Sequence, residues 1–215
     1  MLVAECDAVL FDNDGVLVDS DAGVHAAWSR WAVAFGLPVD EVTEAVHGRR
    51  AVDTVALLVP ESGRVGALAD ITRWEVEEAA GTTAIGGARA LVESLPREVW
   101  AVVTSGVTTL ASARLAAAGL PTPPVLVAAD DVVRGKPAPD GYLAAATALG
   151  VAPGRAVVLE DSAAGIAAGR AAGVAVVVGV GERAVTAGAD LVVRDLSGLR
   201  WVDGALHVDR STLLG

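Results

Sequence analysis

The sequence is short of several things, and each shortage removes a class of protein. A single cysteine, Cys6, excludes an internal disulfide and reads as a small buried hydrophobe at the start of a strand. No apolar run reaches the roughly 18–20 residues that a membrane span needs, because charge, Gly or Pro breaks each one first. The opening residues MLVAECDAVLFD lack the basic region and cleavage site of a secretory signal. A cytoplasmic protein with no membrane partner is the expectation. Positive charge is scarce too: 16 Lys and Arg against 27 Asp and Glu leave a net charge of −11, which argues against nucleic acid as a partner. Lysine is the scarcest of all, Lys136 standing alone among arginines. A chain that otherwise uses the planar guanidinium keeps a compact ammonium at that one place.

What is present is apolar and regularly spaced. Residues of hydrophobic type make up 53% of the 215, enough for a sizeable core. Short β-branched runs recur at DAVLF (7–11), WAVVT (100–104), VLVAA (125–129), AVVLE (156–160), VAVVV (174–178) and DLVV (190–193). Their continuous apolar character suits parallel strands covered on both faces. Ala-rich helical segments near 107–118, 140–149 and 163–172 separate the later runs, and that alternation predicts an α/β fold with a doubly wound parallel sheet. Ligands of such sheets collect beyond the carboxyl ends of the strands.

The first two runs are far apart, and helical spacing fills the gap in VHAAWSRWAVAF, DEVTEAVHG, RAVDTVALLV and VGALADITRWEVEEA. The expected organisation is an α/β core of residues 1–18 and 84–215 with a helical cap domain of residues 19–83 inserted in it. The Gly- and Thr-rich exit GTTAIGGA, 81–88, suits a hinge. Near the end, Asp203-Gly204 between alternating runs predicts a hairpin over 199–208, read as closing an edge of the sheet.

Chemistry-bearing residues follow the predicted strands. Asp12 and Asp14 lie in FDNDG, two carboxylates close enough to repel unless a cation or a shared proton intervenes. Thr104 ends the second run and Ser105 and Gly106 follow it, offering hydroxyls and amides at a helix start, a place that favours anions. Lys136 sits in RGKPAPD, and Glu160 and Asp161 in VVLEDS are hard oxygen donors suited to Mg²⁺. Taken singly, these residues read equally well as a helix cap, a surface cation and an N-cap pair.

Together and in this order, the segments FDNDGVLVDS, VVTSG, GKPAPD and VLEDSAAGIAAGRAAG resemble the four motifs of the haloacid dehalogenase superfamily of phosphohydrolases. The helical insertion resembles the subfamily with a small α-helical cap. HGRRAVD and LPREVWAVVTSG are similar to its sugar- and polyol-phosphate phosphatases, including hexitol, 2-deoxyglucose-6-phosphate and glycerol-3-phosphate phosphatases. The resemblance implies a Mg²⁺-dependent phosphatase acting on small phosphate monoesters through an aspartyl-phosphate. In it Asp12 is the nucleophile and Asp14 the general acid and base. Mg²⁺ is held by Asp12, Asp161 and the main-chain carbonyl of Asp14, with Glu160 beside them directly or one layer out. Thr104, the amides of Ser105 and Gly106, and Lys136 hold the phosphoryl oxygens. The cap chooses the substrate through His47, Gly48 and Arg49 or Arg50, with Arg49 favoured. Trp28, Trp31 and Trp74 offer an aromatic wall, although tryptophans at helical spacing are more often core. A small-molecule substrate and a monomer complete the expectation.

Other readings differ in particular residues. Halide displacement needs no proton donor, so Asp14 points to phosphate esters. A β-phosphoglucomutase-like phosphosugar mutase shares the four motifs, but its cap histidine, ten residues beyond the second aspartate, is replaced here by Val24, with His25 one position along. A receiver-like phosphoaspartate switch would not want a base beside its acyl phosphate and has no helical insertion. A dinucleotide-binding module would need a G-x-G-x-x-G turn where DNDG stands.

Overall fold

The computed structural model describes residues 1–46 and 48–214. Strands β1 (Leu2–Glu5), β2 (Ala8–Phe11) and β3 (Val18–Asp19) lead into helices α1 (Asp21–Ala34), α2 (Val39–Ala45), α3 (Ala51–Leu58) and α4 (Arg64–Glu78), and β4 (Thr83–Ala84) returns the chain. Alternation follows: α5 (Ala88–Ser94), β5 (Trp100–Val103), α6 (Thr108–Ala117), β6 (Leu126–Val127), α7 (Asp140–Leu149), β7 (Ala156–Glu160), α8 (Ala163–Ala172), β8 (Val176–Val180) and β9 (Leu191–Val193). Strands β10 (Leu199–Val202) and β11 (Ala205–Val208) close the list of strands.

Six strands form one parallel sheet in the order β6-β5-β2-β7-β8-β9, so the fold is the α/β arrangement expected. Strands β2, β5 and β7 are buried at every position, which is why they read as unbroken apolar runs. Alternate residues feed two cores. Val9 and Phe11 pack with Leu91 and Leu115 on one face, Leu10 with Tyr142 and Ile166 on the other. Parallel register sets Phe11 beside Val102 of β5 and Leu159 of β7, so the residues that follow these three strands emerge together at one end.

The hairpin forms at Asp203-Gly204, both residues left-handed with φ of 49° and 79°, the geometry Asp-Gly supplies. Its place differs from the expectation. β11 pairs antiparallel with both β10 and β1 in a separate three-stranded sheet, and β9 is the edge of the parallel one. Leu199, Leu206 and Val208 are buried in the same cluster as Phe11, as is Cys6. The hairpin thus covers a face of the main sheet, where it buries apolar surface, and does not extend its edge.

The four helices between β3 and β4 have a core of their own around Trp28, Trp31, Val42, Val55, Ile71 and Trp74. Trp31 is fully buried and donates its Nε1–H to the Ala67 carbonyl at 2.9 Å. The helix-spaced tryptophans are therefore mainly core. The chain leaves for these helices and returns from them through a two-stranded antiparallel ribbon, Val18 opposite Ala84 and Asp19 opposite Thr83. Among the described residues no helix is long and apolar enough to cross a membrane.

Candidate active site

Asp12 follows β2, Thr104 follows β5 and Asp161 follows β7, so the parallel register brings them together. Asp12 is buried, and its Oδ1 accepts the Asn13 N–H and the Lys136 ammonium, both at 2.8 Å. Lys136 donates also to Glu160 Oε1 at 2.5 Å and to the Val103 carbonyl at 3.2 Å, which occupies all three of its N–H groups. Glu160 is wholly buried and fully engaged: Tyr142 O–H reaches Oε1, and the amide and hydroxyl of Ser162 reach Oε2, each at 3.0 Å.

The acids are crowded. One oxygen each of Asp12, Glu160 and Asp161 lie within 4.8 Å of one another. Burial, then the charge of Glu160, raises the Asp12 pKa well above the usual carboxylate range, with Lys136 opposing. The same two causes push Asp161 up to about 7. Burial works against the Lys136 ammonium, but Asp12 and Glu160 outweigh it and hold its pKa above that of ordinary lysine. Arg183 relieves Asp161 from the opposite side, at 2.8 and 3.2 Å, while it also pairs with Asp21 of α1. Asp12 Oδ2 and Asp161 Oδ1 accept no hydrogen bond from the described residues.

Asp14 stands apart from that cluster. Its Oδ1 accepts the Ser20 hydroxyl at 2.6 Å and Arg114 Nη1 at 3.0 Å, and its Oδ2 the Asn13 amide at 3.4 Å. Arg114, buried on α6, extends its other nitrogen to Glu75 Oε1 of α4 at 3.4 Å, where Trp28 Nε1 also donates. Burial raises the Glu75 pKa and Arg114 opposes it. The sequence motifs assign no role to Ser20, Arg114, Glu75, Tyr142 or Arg183. Of these only Ser20 falls in a quoted motif, and an arginine in the Ala-rich stretch of α6 is the nearest thing to a signal for Arg114.

In the loop after β5, Thr104 Oγ1 accepts the Gly106 N–H and the Ser105 hydroxyl donates to the Gly48 carbonyl, each at 3.0 Å. Ser105 and Gly106 face a cavity of about 280 Å³ between the strand ends and the inserted helices. Asp12, Asp14 and Asp161 line it on one side, Val24, Trp28, Arg49 and Glu75 on the other. Thr104 and Lys136 line a smaller space behind it. Gly48 has a φ of 72°, and a Cβ there would lie 2.7 Å from Ser162 Oγ, so both conformation and contact call for glycine. The two arginines after it differ. Arg50 is committed to Asp53 and to the carbonyls of Val132 and Val133. Arg49 is exposed and makes no hydrogen bond with the described residues. His47 lies outside the described residues.

A buried carboxylate held by a lysine thus shares a cavity with a second acid beneath the helices between β3 and β4. The chain belongs to the haloacid dehalogenase-like hydrolases, whose family model matches residues 6–173. Within that family it is 45% identical over 173 residues to hexitol phosphatase A of Escherichia coli (strain K12), covering 78% of this chain and 80% of that one. It is 36% identical over 210 residues to validoxylamine A 7'-phosphate phosphatase of Streptomyces hygroscopicus subsp. limoneus, covering 89% and 95%. CbbY from Rhodobacter sphaeroides, solved in complex with phosphate, superposes with a TM-score of 0.77 at 25% identity, over 89% of this chain and 95% of that one.

Proposed function

We propose that this hydrolase cleaves small sugar or sugar-alcohol phosphate monoesters by a two-step transfer through Asp12. The observation that carries the reading is Asp12 and Asp14 lining one cavity, the first held by Lys136 and the second by Ser20 and Arg114. The named phosphatases among the relatives support the reaction class. Asp12 attacks phosphorus and carries the phosphoryl group while Asp14 gives a proton to the leaving alkoxide. Asp14 then takes a proton from the water that releases phosphate. Lys136 works through Asp12, favouring its charged form against burial and the charge of Glu160. The amide of Ser105 and the loop through Gly106 lie where the phosphoryl oxygens arrive, with Thr104 bracing that loop.

The donor set fits a divalent cation, because oxygens of three buried carboxylate residues cluster and two oxygens, Asp12 Oδ2 and Asp161 Oδ1, accept no hydrogen bond from the described residues. Asp12 and Asp161, with the Asp14 carbonyl, would hold Mg²⁺, and Glu160, whose oxygens are all engaged, would steady Lys136 from behind. Bound there, Mg²⁺ would offset carboxylate charge and polarise the phosphoryl group. Residues 19–83 act as the cap, with Gly48 close to the site and Arg49, in preference to Arg50, turned to the leaving group. Val24 rather than histidine lines the cavity, and His25 is exposed beside Ser29, which supports hydrolysis over mutase chemistry. A cytoplasmic monomer acting on a small molecule is part of the same reading.

The test is inorganic phosphate release, with and without Mg²⁺, from hexose, hexitol, pentose, glycerol and nucleotide monophosphates and from β-glucose 1-phosphate. Magnesium-dependent release concentrated on sugar and polyol phosphates is expected. Isomerised β-glucose 1-phosphate without phosphate release would overturn hydrolysis in favour of the mutase.

A further inference from the structure

Glu75 is a buried acid on α4, and it lines the cavity although the four motifs do not include it. Only one of its oxygens is committed. Oε1 receives both Arg114 Nη2 and Trp28 Nε1, whereas Oε2 accepts no hydrogen bond from the described residues. Arg114 and Trp28 together hold the carboxylate in place from two sides, one from the core and one from the inserted helices. A carboxylate so anchored has an acceptor left over, and the cavity is the space its remaining exposure opens into.

We propose that Glu75 determines which leaving group is accepted, by taking a hydrogen bond on Oε2 from a hydroxyl of the alcohol and turning away alcohols that carry a second anionic group. The inference rests on the sugar- and sugar-alcohol-phosphate reading and narrows it to leaving groups that are neutral and hydroxylated. A hydroxyl can donate to a carboxylate oxygen; a carboxylate or second phosphate cannot, and its charge is repelled in a site of low dielectric. Such a site discriminates strongly because the mismatched ligand leaves a buried polar atom unpaired. Four arginines also line the cavity: Arg50, Arg114 and Arg183 are paired with Asp53, with Asp14 and Glu75, and with Asp21 and Asp161, and Arg49 is exposed, so an anion drawn to it still has Glu75 as a neighbour. Trp28 lines the cavity beside Glu75 and donates to its other oxygen.

The experiment uses two ligands with one skeleton, glycerol 3-phosphate and 3-phosphoglycerate, which differ in a terminal hydroxymethyl or carboxylate. Their binding with Mg²⁺ is measured by calorimetry on D12N and on D12N/E75Q, and turnover of both is measured on the wild type. D12N should bind glycerol 3-phosphate at least about tenfold more tightly than 3-phosphoglycerate, and E75Q should shrink that ratio about tenfold, since glutamine keeps the shape and can donate. D12N/E75D, which withdraws the carboxylate by one methylene, should weaken glycerol 3-phosphate and still reject 3-phosphoglycerate. An unchanged ratio in both double variants would overturn the inference and leave Glu75 as a link between α4 and α6. A ratio that behaves as expected while the wild type releases no phosphate would overturn the hydrolase reading alone. Binding of neither ligand by D12N together with no phosphate release from either by the wild type would overturn both.

Discussion

Gly165, in the first turn of α8, lies so close to Glu160 that a Cβ on it would overlap the carboxylate. The helix can approach β7 only because that side chain is missing. Glu160 in turn fixes Lys136 and Ser162, so the glycine reaches Asp12 through two side chains.

Gly165→Ala should therefore cost about 1–3 kcal/mol of stability, the usual range for overpacking a well-filled interior, and lower turnover as well. Urea denaturation and phosphate release check it. A variant as stable and as active as the parent would show that α8 yields freely.

Asp12→Asn should abolish turnover while the circular dichroism spectrum stays that of the parent, since the amide keeps the size of the buried side chain. Phosphate release at the parental rate would remove Asp12 from the chemistry.

The two adjacent arginines should separate by assay. Arg49→Ala is expected to change relative rates among sugar phosphates by about tenfold and to affect a small aryl phosphate less. Arg50→Ala, which cuts the link from α3 to the Val132 and Val133 carbonyls, should raise KM for every substrate together. Identical profiles for the two variants would refute the division.

Saturating Mg²⁺ should raise Tm. At a hundredfold excess over Kd the linkage is worth about 2.7 kcal/mol, several degrees for a chain of this size. Asp161→Asn should remove most of the shift. A scan insensitive to Mg²⁺ and to chelator would contradict the cation reading.

One pair is set to respond to acid. Arg155 grips Asp7 with two hydrogen bonds, of 2.6 and 3.0 Å, and holds its carboxyl below the usual range. A depressed folded-state pKa adds stability above the unfolded-state value and loses it as pH falls through the folded one. The denaturation midpoint of Asp7→Asn should thus lie slightly below the parent's at pH 6, and the gap should close in more acid solution. The pair is fully exposed, so the effect is small.

Much of this was legible in the sequence because its signals are local. An unbroken apolar run marks a strand buried on two faces, and β2, β5 and β7 are such strands. Lys136 stood out by composition and proves to be a buried ammonium with three acceptors. Asp-Gly announced the hairpin turn, but not its partner, since β1 meets β11 from the far end of the chain. The same distance hid Arg114, which meets Glu75 across 39 positions and Asp14 across 100. An arginine inside an Ala-rich helix carries no mark of the carboxylates that folding will bring to it.

The ribbon of β3 and β4 has a mechanical consequence. Because the outgoing and incoming chains are hydrogen-bonded side by side, the helical layer is attached along one short line, as a page is to a spine. Such an attachment resists sliding and permits turning. Away from that line, the polar ties between layer and sheet among the described residues are Ser105 to Gly48, Arg50 to the Val132 and Val133 carbonyls, Arg114 to Glu75, and Arg183 to Asp21. Three of the four involve an arginine, and at about 1.5–3 kcal/mol for a hydrogen bond to a charged group they set the scale of turning the layer away. On the proposed reading, turning about that line would let the alcohol leave and admit the water that frees the phosphate.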